Sequence, residues 1–263
     1  MAPVHAEVST IAVARYRFEY NHPHDVLGII EAVIWDAYSS KRVCEGSTVI
    51  DLGAGIGDFS VVASRAVGVD GKVVAVEPSP EDFRCLVRNL ELNRCRNVVP
   101  INAAVSDGEK EMAFSFKGRS TVVRTKHLRD LLLDADIDSS TIRFVKIDIE
   151  GGERVVVPDN IDILRHCDCV AMELHDGAKL VVDPIMEGAG FTFKRISTRS
   201  YFWSTLSFSV SHPLQAMRVY RVAKQAEAFH GILKFARGVD VARSSNLILG
   251  TYSPRVRQSP SSA

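Results

Sequence analysis

The chain has 263 residues, with 32 Lys+Arg against 32 Asp+Glu, 46% hydrophobic and 24% charged residues. That is an ordinary globular mixture, long enough for one large domain or two small ones, and it excludes disorder as the main state. A formal charge of zero argues against holding nucleic acid mainly through non-specific phosphate attraction.

Residues 1 to about 24 show no clear period and read as an arm laid over the domain. From Asp25 to Ser39 the apolar positions Leu27, Ile30, Val33, Ile34 and Ala37 recur at helical spacing. Ser47 to Leu52 is a short β-branched run, stopped by Gly53-Ala54-Gly55-Ile56-Gly57. Strand, glycine loop and helix (Phe59 to Val67) come in that order, and Lys72 to Glu77 is a second buried strand. Ser79, with Pro80 at the first helical position and Asp82 at the third, caps a helix whose face carries Phe83, Val87 and Leu90.

Val98 to Ile101 supplies a third strand, Lys110 to Phe116 and Thr121 to Val123 a hairpin, and Thr125 a cap for a helix carrying Leu128, Leu131 and Leu132. Phe144 to Ile149 and Asp168 to Leu174 are the fourth and fifth strands. Two more, Phe191 to Ile196 and Asn246 to Tyr252, flank an insertion with helical stretches around Leu214 to Phe235. Alternation of strand and helix calls for a doubly wound α/β fold, because each parallel crossover needs a helix-length connection. The expected organisation is an arm and helix over 1–44, a domain over 45–252 with a helical insertion at about 198–243, and a frayed tail over 253–263.

The five cysteines are odd in number and lie in apolar-looking segments, which points to a reducing cytoplasm. Cys167-Asp168-Cys169 beside His166 lacks a second ligand pair at zinc spacing, and no resident metal is expected. No signal-peptide pattern opens the chain and no run approaches ~20 uninterrupted apolar residues, so neither secretion nor a membrane span is indicated.

The glycines of Gly53-Ala54-Gly55-Ile56-Gly57-Asp58-Phe59 let backbone pass close to a ligand. A dinucleotide loop would place its third glycine one residue later, at the helix end that faces a pyrophosphate; here Asp58 stands there and opposes an anion. Glu77, at the end of the second strand, can accept both hydroxyls of a ribose. Asp51 adds negative charge, so the pattern favours S-adenosylmethionine, which is cationic where a dinucleotide carries phosphates. The structural alternative is a tight turn with solvated acids at the strand ends.

These residues, together with Val76-Glu77-Pro78, Asn102-Ala103-Ala104-Val105-Ser106-Asp107 and Phe144-Val145-Lys146-Ile147-Asp148-Ile149-Glu150-Gly151-Gly152-Glu153, resemble the FkbM-type methyltransferases. The last run looks like that family's K-x-D-x-E-G-x-E signature, and the likeness covers roughly residues 45 to 175. The resemblance implies a Rossmann-like class I fold with a mostly parallel seven-stranded sheet. It also implies that Glu77 holds a ribose, that Asn102 to Val105 flank an adenine, and that Gly53 to Phe59 surround a methionine portion. O-methylation of a small molecule or glycan is the activity it suggests.

Asp51, Glu77, Asp148, Glu150 and Glu173 fall at or near strand ends, where doubly wound folds bind ligands. Asp148 or Glu150 could take the acceptor's proton, Lys146 could moderate their repulsion, and His175 is another candidate base. Asp148 and Glu150 could instead cap the following helix, or join Glu173 around Mg²⁺. Tyr201, Phe202 and Trp203 could stack on an acceptor or pack the insertion down. RNA methylation, motivated by Arg84, Arg88, Arg94 and Arg96, and a catalytically silent S-adenosylmethionine-binding domain are the alternative functions.

Overall fold

The computed structural model describes residues 9–108, 110–116, 119–175, 177–195, 198–225 and 248–254. It opens with a hairpin, β1 (Ser9–Val13) and β2 (Tyr16–Tyr20), in a stretch whose residues show no clear period. Helix α1 (Asp25–Ile29) runs on as a π-helical stretch, Ile30–Trp35, that ends where Asp36 turns left-handed at φ 52°. Then come β3 (Thr48–Leu52), α2 (Asp58–Val67), β4 (Lys72–Val76), α3 (Pro80–Leu92) and β5 (Val98–Ile101). The expected cap of α3 is present, with Ser79 Oγ accepting from the Asp82 amide at 3.3 Å.

A side sheet comes next, built from β6 (Ala104–Val105), β7 (Lys110–Phe116) and β8 (Arg119–Lys126). The chain continues through α4 (Leu128–Asp134), β9 (Ile142–Ile147), α5 (Glu153–Asp159), α6 (Ile161–Leu164), β10 (Cys169–Leu174), α7 (Lys179–Gly188) and β11 (Phe191–Arg195). Helices α8 (Thr198–Ser211) and α9 (Pro213–Gln225) form the described part of the insertion, and β12 (Ile248–Pro254) closes the fold. The helical reading from 226 to Phe235 and most of the tail lie outside the described residues. Thr125 does not cap α4. It sits inside β8, as its β-branched neighbours favour, and its hydroxyl donates to the Gly108 carbonyl at 2.6 Å; His127 precedes α4 without a side-chain cap.

The seven-stranded sheet has the order β11-β12-β10-β9-β3-β4-β5. All its pairings are parallel except those of β12, which runs antiparallel to both neighbours. This is the doubly wound, mostly parallel sheet expected. Strand alternation sends Val49, Val73, Ala75, Phe144 and Ala171 into one layer with α1, α2 and α3. Ile50, Leu52, Val74, Val145 and Met172 enter the other, with α4, α5 and α7. After β5 the chain crosses back to the far side of β3, so the turns leaving β3 and β9 diverge and open a crevice at the carboxyl ends.

The N-terminal segment is tied to both the core and the insertion. Tyr201 stacks on Trp35 with centroids 4.7 Å apart, and Trp35 Nε1 donates to Thr205 Oγ1 at 2.9 Å, so Tyr201 packs the insertion down. Phe202 and Trp203 are exposed and meet each other edge to face. All five cysteines are unpaired, and among the described residues no helix is long and apolar enough to cross a membrane.

Asn89 is the clasp of the hairpin. It is fully buried; its Nδ2 donates to the Glu19 carbonyl at 2.9 Å and the Ile56 carbonyl at 2.8 Å, while Oδ1 accepts from the Glu19 amide at 2.6 Å. Asn89→Ala strands these backbone groups, and urea unfolding is expected to show a loss of roughly 2–4 kcal/mol. An unchanged midpoint would show that the clasp is dispensable.

Candidate active site

Register builds the site. Asp51 of β3 pairs with Lys146 of β9, which pairs with Ala171 of β10, and one pleat further on the same face come Asp148 and Glu173. All four project toward the layer that contains α1 and α2. There the walls of a cavity of about 810 Å³ are completed by Glu31, Tyr38 and Asp58.

Lys146 is the buried cation of this acidic end. Its Nζ donates to the Gly53 carbonyl at 2.6 Å and stands 3.2 Å from Asp51 Oδ1 and 3.6 Å from Asp148 Oδ2. Burial opposes its charge, but Asp51, Asp148 and Asp58 outweigh that and hold the ammonium protonated. Asp51 also accepts from Ser60 Oγ at 2.5 Å, on the first turn of α2. The glycine loop passes so close that a Cβ on Gly53 would lie 1.7 Å from the Asp148 carbonyl oxygen, and the residue's φ is 75°.

Glu77 is only 5% exposed; Oε2 accepts from the Gly55 amide and Oε1 from the Ser79 amide, both at 2.7 Å. Burial pushes its carboxyl up to about 7 despite those two bonds. Asp58 is likewise pushed up to about 7, by burial first, with Lys146 pulling the other way and Asp51 adding repulsion. Glu31 is raised by burial and by the Glu173 and Asp148 charges.

The Tyr38 hydroxyl bridges two carboxylates, 2.8 Å from Asp148 Oδ2 and 3.1 Å from Glu173 Oε2. Burial and the Asp148 charge raise the Glu173 carboxyl well above the ordinary range. His175 Nδ1 lies 3.1 Å from Oε1 of the fully buried Glu153, while Nε2 faces Glu150 Oε2 at 3.5 Å and Glu173 Oε1 at 3.8 Å. Burial works against its charge, but Glu153 and Glu173 prevail and lift it to about 9. The imidazole therefore keeps its proton at neutral pH, unlike the free base its ordinary value suggests.

Of the residues expected from sequence, Gly53, Ala54, Gly55, Asp58, Glu77, Pro78, Ala103, Lys146, Asp148 and Glu150 line the cavity. Five stand behind its wall, among them His175, held by Glu153. Asp51 supports Lys146; a Cβ on Gly57 would strike Leu86 Cδ1 at 2.5 Å, so that glycine serves the packing of α3. Phe59 is core, stacked on Phe144 with centroids 5.8 Å apart. Asn102 Nδ2 donates to the Glu77 and Pro78 carbonyls at 2.8 and 3.1 Å, which fixes the turn after β4. Glu150 adopts φ 53° and is half-exposed at the rim. Sequence reasoning missed Glu31 and Tyr38. No helical period links the two, because Tyr38 lies beyond the left-handed turn at Asp36 that ends the helix.

Fold and site together define a doubly wound α/β protein of the class I methyltransferase type, with its cavity at the switch point between β3 and β9. A profile described as the methyltransferase FkbM domain matches residues 51–193, just over half of the sequence, and the chain belongs to the FkbM methyltransferase family. Two relatives are named "Probable cobalt-precorrin-6B C(15)-methyltransferase (decarboxylating)". The one from Sulfurisphaera tokodaii is 32% identical over 104 residues, 38% of this chain and 52% of its own length. That from Sulfolobus acidocaldarius is 40% identical over 62 residues, 24% of this chain and 32% of its own. The chain thus spans about half of the first relative and a third of the second. A solved precorrin-6y C5,15-methyltransferase from Geobacter metallireducens is 18% identical, with a TM-score of 0.43 over 62% of this chain and 73% of that one.

Asp58 provides a pH test of the acidic wall. A carboxyl raised from 3.8 to about 7 on folding contributes stability that is present below about pH 4 and lost as pH rises through 7. Asp58→Asn removes that loss. Urea unfolding is expected to show the variant more stable than the parent at pH 8, by about 1 kcal/mol or more, and the gap is expected to close at pH 4. A parallel pH dependence in both proteins contradicts the assignment.

Proposed function

We propose that the cavity holds S-adenosylmethionine and that the chain methylates a hydroxyl of a small molecule or glycan, with residues 45–252 as the catalytic unit. The observation that carries this is electrostatic. Among the described residues, seven acidic side chains line the cavity with one ammonium, that of Lys146, a wall that repels phosphates and welcomes a cation.

The residues present fit the group. Gly55, whose Cβ would meet nothing within 4 Å, leaves room beside Glu77, and each oxygen of Glu77 keeps a lone pair for a ribose hydroxyl. Ala103 and the backbone beyond it offer an apolar flank for an adenine, and Asp58, Glu31 and the glycine loop surround the place for a methionine portion. When bound, S-adenosylmethionine supplies an electrophilic methyl group.

The chain's own part is to orient the acceptor and receive its proton. Glu173, whose carboxyl is raised to about 8, is in its ionised form the base of this proposal, with Asp148 beside it. Tyr38 fixes both carboxylates through their Oδ2 and Oε2 atoms. His175, positively charged, steadies Glu173 from behind. The silent-domain alternative leaves this proton-handling group without a task. The arginines that motivated RNA methylation are remote: Arg88 pairs with Glu19 at 3.4 Å, and Arg94 and Arg96 line a separate cleft with Lys72 at the amino end of β4.

Calorimetric titration against S-adenosylmethionine and NAD tests the reading. Binding of the first alone is expected, weakened about tenfold to a hundredfold in Glu77→Ala, because two charge-assisted hydrogen bonds are lost. Affinity for NAD alone refutes it. In Glu173→Gln, cofactor affinity is expected to persist while release of S-adenosylhomocysteine with a panel of hydroxylated acceptors falls about a hundredfold or more; turnover equal to the parent's removes Glu173 from the base position.

A further inference from the structure

We infer that Asp148, Glu173 and His175 form a binding site for a divalent cation of the Mg²⁺ or Mn²⁺ type. One ligand atom from each of the three lies within 4.8 Å of the others. The sequence pattern suggests Glu150 as the third ligand; the structure brings His175 into that place.

The geometry separates this group from a set of hydrogen-bonded neighbours. His175 Nε2 stands 3.8 Å from Glu173 Oε1 and 3.5 Å from Glu150 Oε2. The first gap is too long for a hydrogen bond and the second lies at its limit. Ligands about 2.1 Å from one shared ion sit about 3.0 to 4.2 Å apart, from adjacent to opposite positions. The gap between the two proposed ligands, His175 and Glu173, falls in that interval.

The orientation of each ligand is set from outside the cluster. Glu153, fully buried on the first turn of α5, receives the Ile149 and Gly151 amides and holds His175 Nδ1, which leaves Nε2 aimed at the carboxylates. A buried carboxylate behind a histidine is the arrangement that fixes a metal-ligating imidazole, and the ion takes the place of the Nε2 proton that the imidazole carries without it. The other oxygen of Glu153 is buried and has no hydrogen-bond partner among the described residues, so this buried anion depends on positive charge across the imidazole. Tyr38 engages Asp148 through Oδ2 and Glu173 through Oε2, so Glu173 keeps Oε1 for the His175 side. Two carboxylates and one imidazole suit Mn²⁺ or Mg²⁺ better than a soft metal. The ion would hold two neighbouring oxygens of an acceptor, as in a vicinal diol or catechol. That role rests on the methyl-transfer reading, whereas the ion's binding does not.

The test uses the full chain without cofactor. Mn²⁺ is added and its free fraction read by electron paramagnetic resonance. One ion per chain with a Kd of about 0.1 mM or tighter is expected, weakened about tenfold or more in both His175→Gln and Glu173→Gln, with circular dichroism reporting that each variant is folded. Absence of binding to the folded parent at millimolar Mn²⁺, or equal binding by parent and both variants, overturns the inference. If one variant fails to fold, the other decides. Binding of S-adenosylmethionine without Mn²⁺ binding sinks this inference alone; Mn²⁺ binding with affinity for NAD alone sinks only the methyl-transfer reading.

Discussion

The buried ammonium of Lys146 is the interaction on which the carboxyl end of the sheet depends. Strands β3 and β9 meet where the winding reverses, so each delivers an acid to the same small volume, Asp51 from one and Asp148 from the other. Two carboxylates with little solvent between them repel, and a single cation hydrogen-bonded to the Gly53 carbonyl both reconciles them and fastens the glycine turn to the neighbouring strand. Everything further out in the cavity, including the position of Glu173 and the bridge made by Tyr38, is measured from that point. A lysine in the middle of an apolar strand is costly in isolation. Here it has two partners of opposite charge and a carbonyl acceptor, which makes the arrangement coherent.

The fold was largely readable because its elements obey simple periods. Buried parallel strands such as Thr48–Leu52 and Lys72–Val76 are near-continuous apolar runs, and the Ser79 cap marks the start of α3 in the letters themselves. The hairpin over 9–20 escaped because its faces are not cleanly apolar and polar: Phe18 and Val13 are buried, but Tyr16 and Tyr20 are only half so. Thr125 departs from the expected cap because a threonine before an apolar helical stretch is as good a cap by composition as it is a strand residue. Only the pairing with Lys110 decides between them.

The site was half readable. Residues on the central strands and the glycine loop, such as Glu77, Asp148 and Lys146, can be placed from their positions at strand ends, because parallel register puts those ends side by side. Whether a side chain faces the cavity or supports it from behind is set by the other layer, which the sequence pattern does not reach. Phe59 and Asn102 look like wall residues by position, yet they are spent on packing and on fixing a turn. Glu31, on the helix, and Tyr38, just past its end, lie more than a hundred residues from the strands whose carboxylates they meet, a distance across which no local period carries information.

The π-helical stretch between Ile30 and Trp35 bears on how such a wall arises. A π turn is an α-helix with one extra residue accommodated, and each residue added to a helix rotates the chain beyond it by about 100°. Tyr38 lies just past that stretch, beyond the left-handed turn at Asp36, so the place where the helix ends decides where its hydroxyl meets the two carboxylates. The bridge between Asp148 and Glu173 thus depends on how a helix ends as much as on the two carboxylates it joins.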